Sequence, residues 1–169
     1  LGIVAEKFKK AGDSVGFIST AGNTNESAFI LAKFARDIVG TENIDTTARL
    51  YSEDPMVFLS GKADIEGTDL IVLAGLNPSQ WNRLLPSIDA QIRKKVDRGA
   101  KLIVINSRDT GLDSIASLKV TPEEIEKVKE PYISAKSPVV FFSPHYANII
   151  APLKPSQAVA IGLEGNVRG

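Results

Sequence analysis

The chain has 169 residues, of which 43% are apolar, so it is long enough to bury the core of one ordinary domain. Twenty basic residues balance twenty acidic ones, which leaves no strong charge to attract nucleic acid or an anionic membrane surface. No apolar run approaches the roughly 18 residues that a membrane-spanning helix needs. The chain has no cysteine, which excludes disulfides, cysteine-ligated zinc, iron–sulfur clusters and thiol catalysis within it. Composition therefore predicts a soluble α/β domain.

The N-terminal third carries one strand signal and one helix signal. Val15–Ser19 is a short apolar run typical of a strand, and the apolar residues of Glu26–Val39 recur at helical spacing. Asn23, with Glu26 three residues later, is predicted to cap the start of this helix. Gly40 is predicted to end it in the left-handed conformation that helix C-termini favour.

The middle of the chain predicts a strand–helix–strand crossover. Asp69–Gly75 is a continuous apolar run of the kind that is buried on both faces of a parallel sheet, and Lys101–Asn106 is a second one. Between them an apolar stripe predicts a helix over Leu84–Arg98, which Gly99 ends. The stripe consists of Leu85, Ile88, Ile92 and Val96. Such a crossover makes the two strands parallel, with a right-handed connection.

The C-terminal part predicts one more helix and one more long strand. Thr121–Glu124 has the pattern of a capping box with proline at the first helical position. The helix that follows is predicted to stop at Pro131, because proline lacks the N–H group that a helix needs. Pro138–Ser143 predicts the last long strand, and Ala158–Leu163 is a further short apolar run.

These elements predict a single α/β domain over residues 1–169. Its core is expected to be a mostly parallel, Rossmann-like sheet with helices on both faces. The chain begins at Leu1 with neither an initiator methionine nor a signal-peptide pattern, and we expect it to be a fragment of a larger protein. The strands predicted for the sheet are Val15–Ser19, Asp69–Ala74, Lys101–Ile105 and Val139–Phe142.

Three polar loops follow predicted strands, at the edge where open parallel sheets bind ligands. None of these loops contains the dinucleotide fingerprint Gly-x-Gly-x-x-Gly or the Gly-Lys-Ser/Thr of a phosphate-binding loop. The loops are Thr20–Asn25, Gly75–Trp81 and Asn106–Leu112.

Two of the loops are open to two interpretations. Gly75, Asn77 and Pro78 form either a plain turn or a ligand-binding turn. In a binding turn, Gly75 would let the backbone approach the ligand, and Asn77 would offer hydrogen-bond donors and acceptors. The polar segment Asn106–Thr110 either contacts a nucleoside or phosphate, or is an ordinary turn that needs no ligand.

The other chemically versatile side chains have simple structural explanations. Trp81 could stack on a base, but a lone tryptophan is more often a packing or interface residue. His145 has no neighbouring nucleophile or second metal ligand in the sequence. The basic cluster of Arg93–Lys95 with Arg98 is predicted to be the solvated face of an amphipathic helix. We therefore predict no catalytic residue and no metal ligand in this chain.

A series of short segments, in one fixed order along nearly the whole chain, matches a known pattern. The segments are Thr24–Glu26, Lys33–Arg36, Gly40–Asp45, Ala48–Leu50, Asp64–Pro78, Arg93–Lys94, Gly99–Ile105, Ala135–Val140 and Gly165–Gly169. Together they resemble the molybdopterin oxidoreductase superfamily. The resemblance implies a dinucleotide-binding-like α/β domain of a large redox subunit that helps to hold molybdopterin guanine dinucleotide, as in formate dehydrogenases. The positions that it implies for cofactor binding are Gly75, Asn77, Pro78, Asn106 and Arg108, together with the Thr20–Asn25 loop.

Two positions depart from the superfamily pattern. Asn106 stands where the superfamily places the aspartate that recognises guanosine. Tyr51 stands where formate dehydrogenase-like members place the cysteine or selenocysteine that ligates the metal, and tyrosine is a poor ligand for a soft metal. The segment from Tyr51 to Asp69 is also shorter than in those enzymes, although Ser52 and Asp54 lie nearby as oxygen donors.

With these departures, the chain resembles the component of the respiratory NADH-quinone oxidoreductase, complex I, that keeps the molybdopterin-enzyme fold. That resemblance implies a scaffold domain in respiratory electron transfer that performs no metal chemistry. It also implies iron–sulfur clusters in a region before Leu1, other subunits of a redox complex as partners, and a cytoplasmic location, peripheral to the membrane through that complex. No nucleic acid partner and no direct membrane insertion are expected.

Two alternatives stay open. The chain could be the molybdopterin guanine dinucleotide-binding domain of an active molybdenum or tungsten oxidoreductase, such as a formate dehydrogenase. It could also be a free-standing nucleotide-binding or protein-interaction module. Cysteine-rich iron–sulfur motifs before Leu1 would support either redox interpretation over the module.

Overall fold

The computed structural model describes residues 2–20, 22–47, 61, 63–80 and 86–162. The chain groups into two compact units, Leu1–Pro55 with Glu164–Gly169, and Met56–Leu163. The single domain expected over residues 1–169 stays a prediction. Within the described ranges, every helix is too short or too polar to cross a membrane.

The first unit combines helices with a small parallel sheet. Helix Gly2–Ala11 comes first, and helix Asn25–Lys33 continues into a π-helical segment, Phe34–Val39. Strand β1, Phe17–Ser19, pairs in parallel with β2, Ile44–Thr46. The rings of three phenylalanines pack with centroids 5.9–6.2 Å apart and form the aromatic centre of this unit. They are Phe8, Phe17 and Phe34.

The prediction that Val15–Ser19 belongs to the main sheet is wrong. Phe17–Ser19 forms only the two-stranded sheet, and Ile18 at its centre is 79% exposed. A strand in the middle of a main sheet is covered on both faces. One face of this short strand is exposed to solvent. Its apolar residues therefore predict a strand correctly, but they do not show which sheet the strand joins.

The helix in this unit has a different N-cap from the one predicted. Thr24 is the N-cap, and its hydroxyl accepts a hydrogen bond from the backbone N–H of Ser27 at 3.3 Å. Asn23 instead donates its side-chain amide to the Ser19 hydroxyl at 3.3 Å. A cap must reach the N–H two or three residues ahead, and Thr24 satisfies that spacing. Gly40 ends the helical segment with φ of +79°, as predicted.

The second unit is built on a five-stranded sheet in which every pairing is parallel. The strands are β3 Leu70–Ala74, β4 Lys101–Ile105, β5 Leu118–Val120, β6 Pro138–Phe142 and β7 Ala158–Ala160. Their spatial order is β5-β4-β3-β6-β7, and all five residues of the central strand β3 are buried. The predicted α/β class with a mostly parallel sheet is confirmed.

Three α-helices of this unit lie among the described residues. They are Pro86–Asp97, Glu126–Ser134 and Ala147–Ile150. In the first of them Ile92 is buried in the core, and Ile88 and Val96 pack against the same cluster, as the apolar stripe predicts. Leu85, the fourth member of that stripe, lies outside the described residues.

The second of these helices contradicts one prediction. Its capping box, Thr121 with Glu124, is present, but the helix continues through Pro131 to Ser134. Proline removes one helical hydrogen bond without forbidding the following turn. Buried Val128 and Tyr132 hold that turn against the rest of the unit, so packing outweighs the loss.

Candidate functional site

The carboxyl ends of β3 and β4 bring two of the predicted loops together. The two strands are neighbours in register, so their following loops start side by side. The backbone N–H of Gly75 donates to the Ile105 carbonyl at 2.9 Å. Further out, the N–H of Gly111 donates to Oδ1 of Asn77 at 3.2 Å. We call the two loops, residues 75–80 and 106–112, the β3 loop and the β4 loop.

The backbone conformation at position 75 and a neighbouring side chain of the same chain both require glycine there. Its φ is +67°, and a Cβ placed there would lie 2.3 Å from Cδ2 of Tyr146. Tyr146 follows β6, where the N–H of Ser143 donates to the Ala74 carbonyl at 2.9 Å. The close approach that Gly75 permits is therefore made by an aromatic ring of this chain, and a contact of Gly75 with a cofactor stays a prediction.

Asn77 shapes the β3 loop and joins it to the β4 loop. Its backbone carbonyl accepts a hydrogen bond from the backbone N–H of Gln80 at 3.1 Å, and its side-chain Nδ2 donates to Oε1 of Gln80 at 3.2 Å. Its Oδ1 accepts from Gly111, while the neighbouring Pro78 is buried. An amide oxygen has two lone pairs and an amide nitrogen two hydrogens, so half-buried Asn77 keeps capacity for a further partner.

Asn106 organises the start of the β4 loop. Its N–H donates to the Val120 carbonyl at 3.0 Å, and its Oδ1 accepts from the N–H of Arg108 at 3.1 Å. Its Nδ2 lies 3.5 Å from the Leu76 carbonyl. This Asx turn directs the chain out of the sheet.

Arg108 is an exposed cation on the β4 loop. Within the described part of the chain, its guanidinium group makes no hydrogen bond or ion pair. A guanidinium group carries five N–H donors in a planar fork that matches phosphate oxygens. Arg108 is thus equipped to bind an anion from solution.

The carboxylates of Asp109 in this loop and of Asp113 directly after it are already paired. Lys119 donates to Asp109 and to Asp113, and Asp113 also accepts from the N–H of Thr110 at 3.1 Å. Partial burial alone raises the pKa of Asp113, but the hydrogen bonds from Lys119 and Thr110 lower this pKa below its ordinary value. Asp113 therefore stays ionised. Two carboxylates share the single ammonium group of Lys119, so the pair with Lys119 keeps one formal negative charge, which the guanidinium group of Arg108 offsets.

A polar bridge between the two loops departs from the sequence prediction. The predicted solvated helix face fits exposed Lys94 and Arg98, whereas Arg93 and Lys95 are half-buried. Lys95 donates to the Glu66 carbonyl, and Arg93 forms the bridge. The Nε of Arg93 donates to Asp89 Oδ2 at 3.0 Å, and its Nη2 donates to Ser79 Oγ at 3.0 Å. The signal that could have revealed the bridge is the i, i+4 pairing of an aspartate with this arginine.

The bridge extends to the β4 loop. Arg93 Nη2 also donates to the Gly111 carbonyl at 3.0 Å, and Ser79 Oγ donates to Asp89 Oδ1 at 2.6 Å. Partial burial by itself raises the pKa of Asp89, but the bonds from Ser79 and Arg93 lower it below the ordinary value. Asp89 therefore stays ionised and holds the arginine in place.

Other predicted residues take no part in this geometry. The Thr20–Asn25 loop belongs to the first unit, where the N–H of Gly22 donates to the Thr20 hydroxyl at 3.1 Å. His145 is exposed on a short 3-10 turn. Among the described residues, no group of three or more His, Asp or Glu side chains could hold a metal ion. The positions that lie outside the described residues are Tyr51, Ser52, Asp54, Trp81 and Gly165–Gly169.

The amino-acid sequence matches a known protein family over most of its length. The family model described as Molybdopterin oxidoreductase matches residues 1–135. The chain belongs to the molybdopterin oxidoreductase family. This confirms the resemblance at the level of the superfamily.

Individual relatives of this molybdopterin oxidoreductase domain are much longer than it is. The F420-dependent formate dehydrogenase subunit alpha of Methanocaldococcus jannaschii is 39% identical over 120 residues, which is 65% of this chain and 17% of that protein. The putative formate dehydrogenase YrhE of Bacillus subtilis is 30% identical over 135 residues, 73% of this chain and 13% of that protein. The solved structure of acetylene hydratase from Pelobacter acetylenicus superimposes with a TM-score of 0.49 at 20% identity, covering 69% of this chain and 17% of that one.

Membership in the family implies a molybdopterin cofactor in the parent protein, and the polar groups of the β3 and β4 loops match parts of such ligands. Phosphate needs cationic or N–H donors, and Arg108 supplies a guanidinium group without a protein partner among the described residues. A base edge needs mixed donors and acceptors, which the amides of Asn77 and Asn106 supply. The donor set of this edge therefore fits a group that carries a phosphate and a base edge.

Proposed function

We propose that this chain is a cofactor-binding α/β domain of a molybdenum or tungsten oxidoreductase of the formate dehydrogenase kind. Its role is to hold the guanosine diphosphate part of molybdopterin guanine dinucleotide at the β3 and β4 loops. The observation that carries the proposal is the exposed guanidinium group of Arg108, which has no partner among the described residues. Arg108 shares the β4 loop with Asn106, and a hydrogen bond from Gly111 joins this loop to Asn77. These groups lie at the edge where parallel sheets bind ligands. Relatives that are named as formate dehydrogenases, one of them as a putative one, support the same function.

Each side chain has a distinct part in this proposal. Arg108 donates to a phosphate oxygen in a charge-assisted hydrogen bond. Asn77 uses its remaining amide hydrogen and lone pair to fix the orientation of the nucleotide. Asn106 stands where a carboxylate would recognise guanine, and its amide offers only one oxygen acceptor. When bound, the cofactor supplies the metal and its dithiolene sulfur ligands.

Association with further subunits is part of the same proposal. The Methanocaldococcus relative is named as a subunit alpha, which supports a parent protein that works within a complex. Iron–sulfur clusters before Leu1, a cytoplasmic location and the absence of a nucleic acid partner stay predictions.

Titration of the chain with GDP tests the site. We expect the double variant Asn77→Ala with Arg108→Ala to bind GDP roughly ten- to a hundredfold more weakly, the loss typical of one charge-assisted and one neutral hydrogen bond. Arg98→Ala is the matched control, because Arg98 is an exposed arginine whose ion-pair partner Glu66 lies 4.0 Å away. Equal GDP affinity in the double variant and the wild type would place the site elsewhere.

A scaffold domain of the complex I type is the second candidate, and Tyr51 is the residue that favours it. In that case the parent protein holds no molybdenum or tungsten at this position. Elemental analysis of the full-length parent, from cells supplied with molybdate and tungstate, separates the two candidates. Stoichiometric metal that disappears on Ser52→Ala or Asp54→Ala would eliminate the scaffold, whereas metal-free protein would eliminate the active oxidoreductase.

A further inference from the structure

We propose that Arg93 is a positioning residue, which sets the spacing between the β3 loop and the β4 loop so that both present their side chains to the same nucleotide. This inference rests on the proposed function. In this proposal Arg93 does not contact the nucleotide. It affects binding because it holds Ser79 and Gly111 in position.

The guanidinium group of Arg93 reaches both loops from one helix. Its Nη2 lies 3.0 Å from Ser79 Oγ in the β3 loop and 3.0 Å from the Gly111 carbonyl in the β4 loop. Its Nε is held by Asp89 Oδ2 at 3.0 Å, one helical turn earlier. Asp89 Oδ1 accepts from Ser79 Oγ at 2.6 Å. Helix Pro86–Asp97 thereby fixes both loops through one planar cation.

Gly111 is clamped from two sides. Its carbonyl accepts from Arg93, and its N–H donates to Asn77 Oδ1 at 3.2 Å. A Cβ at this position would lie 2.5 Å from the Cβ of Ser79, so the loops touch without room for any side chain between them. The spacing of the loops at this point therefore depends on glycine and on the two hydrogen bonds that hold it.

The two hydrogen bonds that hold Gly111 lie next to the groups proposed to bind the nucleotide. Asn77 accepts one of these bonds, and Arg108 precedes Gly111 on the same loop. If Gly111 were released, Asn77 would lose an oriented partner and the β4 loop would gain freedom. Binding would then have to order the loop again, which weakens affinity without removing a contact.

Lysine cannot replace arginine in this role. The bridge needs two nitrogen atoms in a planar fork that donate to Asp89, Ser79 and Gly111 at once. A lysine keeps the charge but offers a single nitrogen atom. The side chain of Asp89 is only 21% exposed and that of Arg93 is 41% exposed, so water replaces these bonds incompletely.

The test compares Arg93→Lys with the matched control Arg98→Lys in the 169-residue chain. Amide hydrogen exchange of Gly111 is measured without ligand, GDP affinity by calorimetry, and stability by urea unfolding. For Arg93→Lys we expect exchange of the Gly111 amide to be about tenfold faster and the Kd for GDP to be about tenfold higher, each corresponding to about 1.4 kcal/mol. Arg98→Lys should leave both unchanged.

The outcomes separate this inference from the proposed function. An unchanged Gly111 exchange rate or an unchanged Kd in Arg93→Lys overturns the positioning role, as does a loss of stability with no change in affinity. If the wild type does not bind GDP, the proposed function fails, and the role of Arg93 toward a nucleotide fails with it even where Gly111 exchange is faster. If Arg93→Lys does not fold, Ser79→Ala removes one acceptor of the bridge and must weaken GDP binding in the same direction.

Discussion

Asp69 joins two strands of the sheet through one carboxylate. It precedes β3, and its two oxygens accept from the N–H groups of Lys136 and Ser137 at 2.9 Å each, directly before β6. These backbone hydrogen bonds lower the pKa of Asp69 below its ordinary value. A depressed pKa in the folded state stabilises the fold above the pKa of the unfolded chain, about 3.9, and this stabilisation is lost as the pH falls through the folded-state pKa.

We therefore predict that stability falls less steeply with acid in Asp69→Asn than in the wild type. The measurement is urea unfolding between about pH 2 and pH 6, a range that spans the ordinary pKa of aspartate. At neutral pH the variant should lose about 1 kcal/mol, the net worth of a hydrogen bond. Asp97→Asn, a change at an exposed carboxylate at the end of a helix, is the control. Parallel pH profiles for Asp69→Asn and the wild type would contradict the prediction.

Gly75 makes a second prediction at the scale of one residue. Gly75→Ala combines a backbone strain, from φ of +67°, with a clash against the ring of Tyr146. We expect a loss of roughly 2–4 kcal/mol in the free energy of unfolding. Gly99→Ala is the matched control, since Gly99 also has positive φ but has open space at its Cβ, and it should lose only about 1–2 kcal/mol. Equal losses would show that Tyr146 does not restrict this position.

Single residues are predictable from sequence where their partners are local. The capping box of Thr121 and Glu124 needs only a spacing along the chain, and it is present. Arg93 is not predictable in the same way, because Ser79 and Gly111 lie on separate loops. The sequence contains no spacing rule that brings those two residues to one helix.

Elements are predictable in proportion to the length of their apolar runs. Three strands of five residues each are identified by their apolar runs alone. They are Leu70–Ala74, Lys101–Ile105 and Pro138–Phe142. Ile44–Thr46 and Leu118–Val120 have three residues each, and the apolar pattern does not reveal them. Each of these two strands has a polar residue at its centre and no continuous apolar run. They are defined by hydrogen bonds to a neighbouring strand, which the sequence pattern does not contain.

The helix Glu126–Ser134 makes a prediction at the scale of an element. Proline is about 3 kcal/mol less favourable than alanine inside a helix, and Pro131 lies inside this one. Pro131→Ala should therefore raise the free energy of unfolding by about 1–2 kcal/mol, a part of that difference. The measurement is urea unfolding, with Pro155→Ala in a loop as the control. No gain in Pro131→Ala would show that the proline stabilises this turn.

At the scale of the whole molecule, the parallel sheet explains how much of the site could be predicted. Asn77 and Asn106 lie far apart in the sequence but follow adjacent parallel strands, so a common edge is predictable. The hydrogen bond between Asn77 and Gly111 is not, since it depends on how two loops pack. That Phe17–Ser19 belongs to a separate sheet is also unpredictable, because the apolar residues of a strand do not show which strands are its neighbours.

Binding of the nucleotide part of a cofactor to the β3 and β4 loops can be observed residue by residue. The measurement is an NMR titration of the uniformly labelled chain with GDP, following backbone amides. We predict saturable shifts at Asn77, Arg108 and Gly111, and none at Lys136 and Ser137, which lie at the opposite edge of the sheet. Shifts confined to that opposite edge, or no shift at saturating nucleotide, would contradict the proposed binding site.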